Sequence, residues 1–182
     1  MTKNTDRRAS IAQNGLQTAA VAAAGTGRPQ VDISLRQTLV GAWRLVSCVE
    51  TDIETGEVFL PMGERPRGFI LYTPDGYMSA QLSSPDRRRF AGEDMYRGGP
   101  EEYAAAGASY LAYSGPYYVD EARRTIEHEM EVSFFPNWEG QRQIRVPRLD
   151  GDTLVLATES PTLFAGSLKT ARITWRRATP NL

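Results

Sequence analysis

A chain of 182 residues has the length of one domain with something to spare, since domains cluster near roughly 100 to 150 residues. With 41% apolar residues, 24% charged residues and a net charge of −1, wholesale disorder is excluded and no nucleic-acid partner is expected, because nucleic acid needs a strongly basic face. A single cysteine (Cys48) excludes an internal disulfide, and a single histidine (His128) excludes a multi-histidine metal site; no metal and no cofactor are expected.

Residues 1–30 are rich in Ala, Thr, Gly, Gln and Asn and carry no aromatic side chain. They offer little to bury and read as a disordered leader ahead of a domain at 31–182. Setting aside Lys3, Arg7, Arg8 and Arg28 against Asp6 leaves the domain acidic by about four charges. The apolar run at 16–25 is interrupted by Gln17 and Thr18 and falls short of the roughly 20 residues a bilayer span needs, so no membrane span is expected. Arg7-Arg8 followed by an Ala/Val stretch also has the outline of a degraded twin-arginine export signal. Ser10 stands where such signals carry a large apolar residue, which favours a cytoplasmic location over export.

From Ile33 onward short β-prone runs alternate with turn residues, at a spacing that argues for a sandwich or barrel over βαβ units. Strands are expected at 39–50, 57–61, 69–73 and 77–82. The last two flank Pro74-Asp75-Gly76, where proline fixes φ and glycine supplies a positive φ, a hairpin signal. A long polar loop at 83–99 carries Arg87, Arg88 and Arg89, read as solvated. Pro100-Glu101-Glu102 opens a helix running to about residue 112. Further strands follow at 117–120, 124–134, 141–149, 153–158 and 168–177. Eight or nine antiparallel strands in up-and-down order hide their edges best by closing into a barrel, with the helix over one mouth.

The sequence also carries a set of motifs: Gly41-Ala42-Trp43; the run from Tyr72 through Thr73-Pro74-Asp75-Gly76 to Gln81; Pro100-Glu101-Glu102-Tyr103; Phe135-Pro136-Asn137-Trp138; Gln143-x-Arg145; and Leu149-Asp150-Gly151-Asp152-x-Leu154. Together, over 35–178, these resemble the bacterial and fungal lipocalin-like domain family. The resemblance implies an all-β, calycin-type barrel with a ligand cavity. Related barrels include cofactor-free cyclases and isomerases as well as plain carriers, so fold is implied more firmly than function. It also implies that a basic residue of the last strand, Arg176 or Arg177, packs over Trp43. Pro147 departs from the pattern and makes its strand an edge or a bulge at that point.

Candidate site residues follow from strand alternation. In 125–134, Ile126, His128, Met130, Val132 and Phe134 share one face, which in a barrel is the interior. There His128 is either a general base with a depressed pKa or a core histidine satisfied by one hydrogen bond. Gln143 and Arg145 alternate with Pro147 and Leu149 and point the same way. A buried guanidinium requires a partner, which is either an acid of the protein or a group on a ligand. Tyr72, Gln81 and Tyr110 are expected near the cavity, and Trp138 at its rim.

The leading expectation is a cofactor-free isomerase, cyclase or lyase for a hydrophobic, polyketide-like intermediate. His128, Arg145 and Tyr72 would then be catalytic, with Gln81, Gln143, Trp138, Tyr110 and Met130 holding the ligand. The alternative is a non-catalytic carrier or sensor of a small lipophilic molecule. A third reading is a structural β-domain that docks a protein partner through an exposed apolar patch. A homodimer is compatible with each.

Overall fold

The computed structural model describes residues 34–181; the expected leader at 1–30, with its outline of a twin-arginine signal, lies outside the described residues. The order of elements is α1 (Leu35–Leu39), β1 (Gly41–Asp52), β2 (Val58–Phe59), β3 (Arg67–Tyr72), β4 (Tyr77–Ser83), α2 (Pro100–Ala108), β5 (Tyr110–Asp120), β6 (Thr125–Glu129) and β7 (Val132–Ser133). A 3₁₀ turn (Pro136–Trp138) then leads into β8 (Arg142–Asp150), β9 (Thr153–Thr158), β10 (Thr162–Phe164) and β11 (Ser167–Arg177).

Eight of these strands form the expected antiparallel barrel in the order β11-β9-β8-β6-β5-β4-β3-β1, closed by pairing of β1 with β11. The short strands β2, β7 and β10 add to its rim. Closure leaves no main-chain edge along the wall, which is the physical reason so many half-buried strands can coexist in one small domain. The hairpin at Pro74 forms as expected, with Gly76 at φ +101° and its N–H donating to the Thr73 carbonyl at 3.2 Å. Gly115 is required for another reason: a Cβ there would collide with the Glu129 carbonyl oxygen, where β5 passes from pairing with β6 to pairing with β7.

The core runs along the barrel axis. Trp43, Leu45, Ile70, Tyr72, Met78, Ala80, Leu82, Leu154, Leu156 and Trp175 are buried, alternating with exposed partners on the same strands. In β1 the phase slips: Leu45 and Ser47 lie opposite the adjacent residues Trp175 and Thr174, so Val46 is the extra residue of a bulge. Beyond it the even-numbered Cys48, Glu50 and Asp52 face inward, where strict alternation from Trp43 would have placed Ser47 and Val49.

The two ends of the barrel differ. One end is plugged by α1, which was not expected from the sequence. Ser34 caps it in a capping box with Gln37, and the Glu121 carboxylate, from the β5–β6 turn, accepts the Leu35 and Arg36 amides at 2.9 and 3.0 Å. Leu35 and Leu39 are buried, and the Trp43 indole donates to the Leu39 carbonyl at 2.8 Å. Of the two candidate arginines it is Arg177 that covers the Trp43 ring, at 4.0 Å from its centroid. The expected helix, α2, forms at the other end and stops at Ala108, where the chain turns into β5. It buries no side chain, so the plug is α1 and not α2.

Pro147 sits where its missing amide costs nothing. The β6 ladder ends at the Ile126–Arg145 pair, so the side of β8 that faced β6 is free beyond Arg145. Among the described residues no helix is long and apolar enough to cross a membrane.

Candidate functional site

At the end away from α1 the interior holds a cavity of about 60 Å³, lined on its apolar side by Leu82, Leu111, Leu156, Phe164 and Ile173. Its other wall is polar and aromatic, with Glu50, Tyr113, Trp138, Arg145 and Thr158. Across Trp138 lies an outer groove of about 340 Å³ that shares Trp138, Arg145 and Thr158 with the cavity. The cavity alone holds about two waters, whereas small-ligand pockets run to roughly 300–1,000 Å³. Trp138, Arg145 and Thr158 therefore stand between a small inner space and a larger outer one.

Trp138 owes its position to the 3₁₀ turn. Its amide donates to the Phe135 carbonyl at 3.0 Å, and its ring packs edge-on against Phe135 and Tyr113, with centroids 5.8 and 6.0 Å away. Tyr113 in turn lies 6.0 Å from the His128 ring.

His128 and Tyr72, both expected at the cavity, do not line it but meet below its floor, with the phenol oxygen 2.8 Å from His128 Nε2. Both are fully buried. Burial, seconded by the charge of Arg145, holds the imidazole well below its usual pKa, and burial raises the Tyr72 phenol well above its own, so both are neutral at physiological pH. The pair uses only one nitrogen. His128 Nδ1 is buried without a hydrogen-bond partner, an arrangement that ordinarily costs roughly 1–3 kcal/mol.

Arg145 points inward from β8, one register step from His128, whose cross-strand neighbour is Gln143. Its guanidinium donates to the Gln143 side-chain oxygen and to the Ile144 carbonyl, the latter at 3.1 Å. Among the described residues no carboxylate lies within ion-pair distance of it. The acid partner that a structural role would demand is missing among the described residues, and Arg145 lines both the cavity and the outer groove.

Other expected positions are corrected. Gln81 is exposed on the outer wall, because Ala80 and Leu82 on either side of it take the inward places. Tyr110 shares that outer face: its hydroxyl donates to Gln81 Oε1 at 3.1 Å and its ring carries Arg87 at 4.9 Å. Arg87 is exposed like Arg88 and Arg89, as expected, and in addition ties the 84–99 loop to the end of α2 through the Ala106 carbonyl and the Ser109 hydroxyl, both at 3.1 Å. Val132 and Phe134 are exposed, because the strand ends at Glu129 and β7 pairs only with β5. Met130 is fully buried in the core but does not line the cavity.

The structure adds Cys48, Glu50 and, behind Glu50, Lys169, which sequence alternation missed. Burial and the neighbouring Glu50 push the Cys48 thiol up to about 12, so it acts as a small apolar lining group.

Two comparisons bear on this fold. A 4'-hydroxy-3'-methoxypropiophenone carrier protein of Aspergillus oryzae (strain ATCC 42149 / RIB 40) is 38% identical over 106 residues, covering 55% of this chain and 96% of that protein. The profile of the lipocalin-like domain matches residues 40–178, which takes in every barrel strand. The chain belongs to the lipocalin-like domain family.

Proposed function

We propose that this chain is a non-catalytic carrier of a small aromatic ligand with a carbonyl acceptor, of the aryl ketone type. The carrying observation is Arg145: a guanidinium inside a β-barrel, lining a cavity, with an amide and a backbone carbonyl for company and no carboxylate. A ligand carbonyl completes its donor set without adding a second net charge to the interior. The surrounding leucines and the Tyr113 and Trp138 rings supply the apolar contact that a flat ring needs. The relative's printed ligand, an aryl ketone, has this chemistry, which also favours carriage over the isomerase or cyclase expectation.

The test is a fluorescence titration with 4'-hydroxy-3'-methoxypropiophenone, in which closure of the ring against Trp138 quenches indole emission. Saturable binding is expected, with the ligand recovered unchanged by liquid chromatography after prolonged incubation. Arg145→Met should weaken it by roughly ten- to a hundredfold, the equivalent of about 1.5–3 kcal/mol for a hydrogen bond from a charged donor. Equal affinity in wild type and Arg145→Met would sink the assignment.

One observation favours a catalytic second reading, the neutral His128 beside Tyr72 with Nδ1 unengaged. On that reading His128 takes a proton from a bound substrate while Arg145 steadies the enolate-like oxygen. Time-dependent appearance of a product that is lost in His128→Ala would establish it over simple carriage.

A further inference from the structure

The cavity has a second charged wall that the arginine does not need. The bulge at Val46 turns Glu50 inward, and its carboxylate lines the same cavity as Arg145. Round the barrel β1 is separated from β8 by β11 and β9, so the two side chains enter the lumen from nearly facing walls and do not pair with each other. Glu50 is instead steadied from behind. Lys169 of β11, buried, places Nζ 3.7 Å from Glu50 Oε2 and 3.8 Å from the centroid of the Phe59 ring. The lysine is thus committed to Phe59 and to one carboxylate oxygen.

Two opposite charges on facing walls select against most simple ligands. An aryl carboxylate would satisfy Arg145 but meet Glu50 as a like charge; an amine would do the reverse. A neutral molecule with a hydrogen-bond donor at one end and an acceptor at the other satisfies both walls and adds no net charge. Burial raises the Glu50 carboxyl, and the neighbouring Lys169 pulls the other way by favouring its ionised form.

We propose that the cavity reads a two-ended aromatic ligand, with Glu50 accepting a ring hydroxyl and Arg145 donating to a carbonyl across the ring from it. This rests on the reading that the barrel binds a small aromatic ligand, and it adds what sets specificity and orientation. Rotation of Trp138 toward the outer groove supplies the room, since the inner space of about 60 Å³ is smaller than such a ring.

The experiment is a calorimetric titration of wild type, Glu50→Gln, Glu50→Met combined with Lys169→Met, and Arg145→Met. Four probes are used: 4'-hydroxypropiophenone, its methyl ether 4'-methoxypropiophenone, 4-propylphenol, which lacks the carbonyl, and 4-hydroxybenzoate. Folding of each variant is checked by circular dichroism, and the double variant removes both charges together, as a control for Glu50→Gln, in which Lys169 loses its counter-charge. In wild type the hydroxyketone should bind roughly tenfold or more tightly than the ether and the phenol, and the benzoate weakest of all.

The ether's penalty should fall below about threefold in either Glu50 variant, and the phenol's penalty should collapse only in Arg145→Met, as coupling within a cycle requires. Benzoate should gain affinity in the Glu50 variants. An ether penalty that persists in both Glu50 variants, or ether and hydroxyketone binding wild type equally, overturns this assignment while leaving the carrier reading intact. Failure of every probe to bind wild type removes the carrier reading and this one with it.

Discussion

The two ends of the barrel are built from similar materials to opposite effect. At the plugged end Arg177 lies on Trp43, donates to the Val40 and Thr38 carbonyls at 3.1 and 2.6 Å, and has Asp152 at 4.0 Å. Trp43 donates to Leu39, and Glu121 caps α1; only the Trp175 indole N–H goes without a partner. At the cavity end Arg145 has no acid among the described residues, His128 Nδ1 has no partner, and Glu50 lines the cavity with the buried Lys169 behind it. A satisfied polar network adds to stability, whereas an incomplete one lowers it and is retained for another reason. On the proposed reading the difference divides the labour: one end holds the fold together and the other takes the ligand.

Trp43→Ala tests the division most severely. Removing a fully buried indole that anchors α1 should cost about 3–5 kcal/mol, read as a lowered urea midpoint. Affinity for an aryl ketone, corrected for the folded fraction, should change by less than roughly twofold, because independent sites do not couple. A large change in affinity at equal folded fraction would merge the two ends into one unit.

The same substitution at two arginines sharpens the comparison. Arg177→Met leaves two carbonyls and the Trp43 face without their cation and should destabilise by about 2 kcal/mol. Arg145→Met exchanges a buried charge without an acid for an apolar chain of similar length, so stability should stay within about 1 kcal/mol of wild type or rise. Binding should respond in the opposite order. Thermal unfolding of both variants beside one ligand titration decides it, and equal losses of stability would break the contrast.

What the sequence revealed of this arrangement depended on unbroken alternation. His128, Tyr72, Arg145 and Gln143 were placed inward because β3, β6 and the first half of β8 keep a period of two, and the Pro74-Asp75-Gly76 turn pins one hairpin. Glu50 and Cys48 were missed because a single bulged residue, Val46, inverts the phase of β1, and nothing in the composition of 44–48 announces it. Gln81 was misplaced although its neighbours held the answer, since Ala80 and Leu82 cannot both face inward with it. Lys169 was overlooked within a set, Ala171, Ile173 and Trp175, whose period of two includes it, and the same count selects Arg177 over Arg176. The plug α1 also has a sequence signal, the Ser34-x-x-Gln37 capping box, but five residues are too few to show a helical period. Side-chain partners such as Glu121 on α1 are separated by 86 residues and become visible only in three dimensions.

The smallest effect is the most diagnostic, because it gives the cavity end a pH dependence below about 6.5, whereas the plug's Glu121, lowered by the Arg36 and Leu35 amides, acts only in the more acidic carboxylate range. His128 is buried and held well below its usual pKa, first by burial and then by the charge of Arg145, while in the unfolded chain it titrates near 6.5. Above about pH 6.5 both states carry a neutral ring and contribute no slope. Below it the unfolded chain takes up a proton that the folded protein refuses, so stability falls as pH falls, by up to about 1.4 kcal/mol per pH unit. Glu50, raised in the folded state, works in the opposite sense and loses its contribution as pH rises through its folded pKa. Asp52, held down to about 2 by the Ser167 hydroxyl and the Thr55 and Glu54 amides, acts only at far lower pH. Both contributions persist in His128→Phe, so the wild-type curve minus the variant curve isolates the imidazole. That difference should be flat from pH 8 to 6.5 and then slope downward to pH 5, measured as urea midpoints at half-unit steps. A flat difference throughout would mean that His128 accepts its proton without leaving the fold, and the unengaged Nδ1 would no longer mark the cavity end as the part of the barrel kept short of partners.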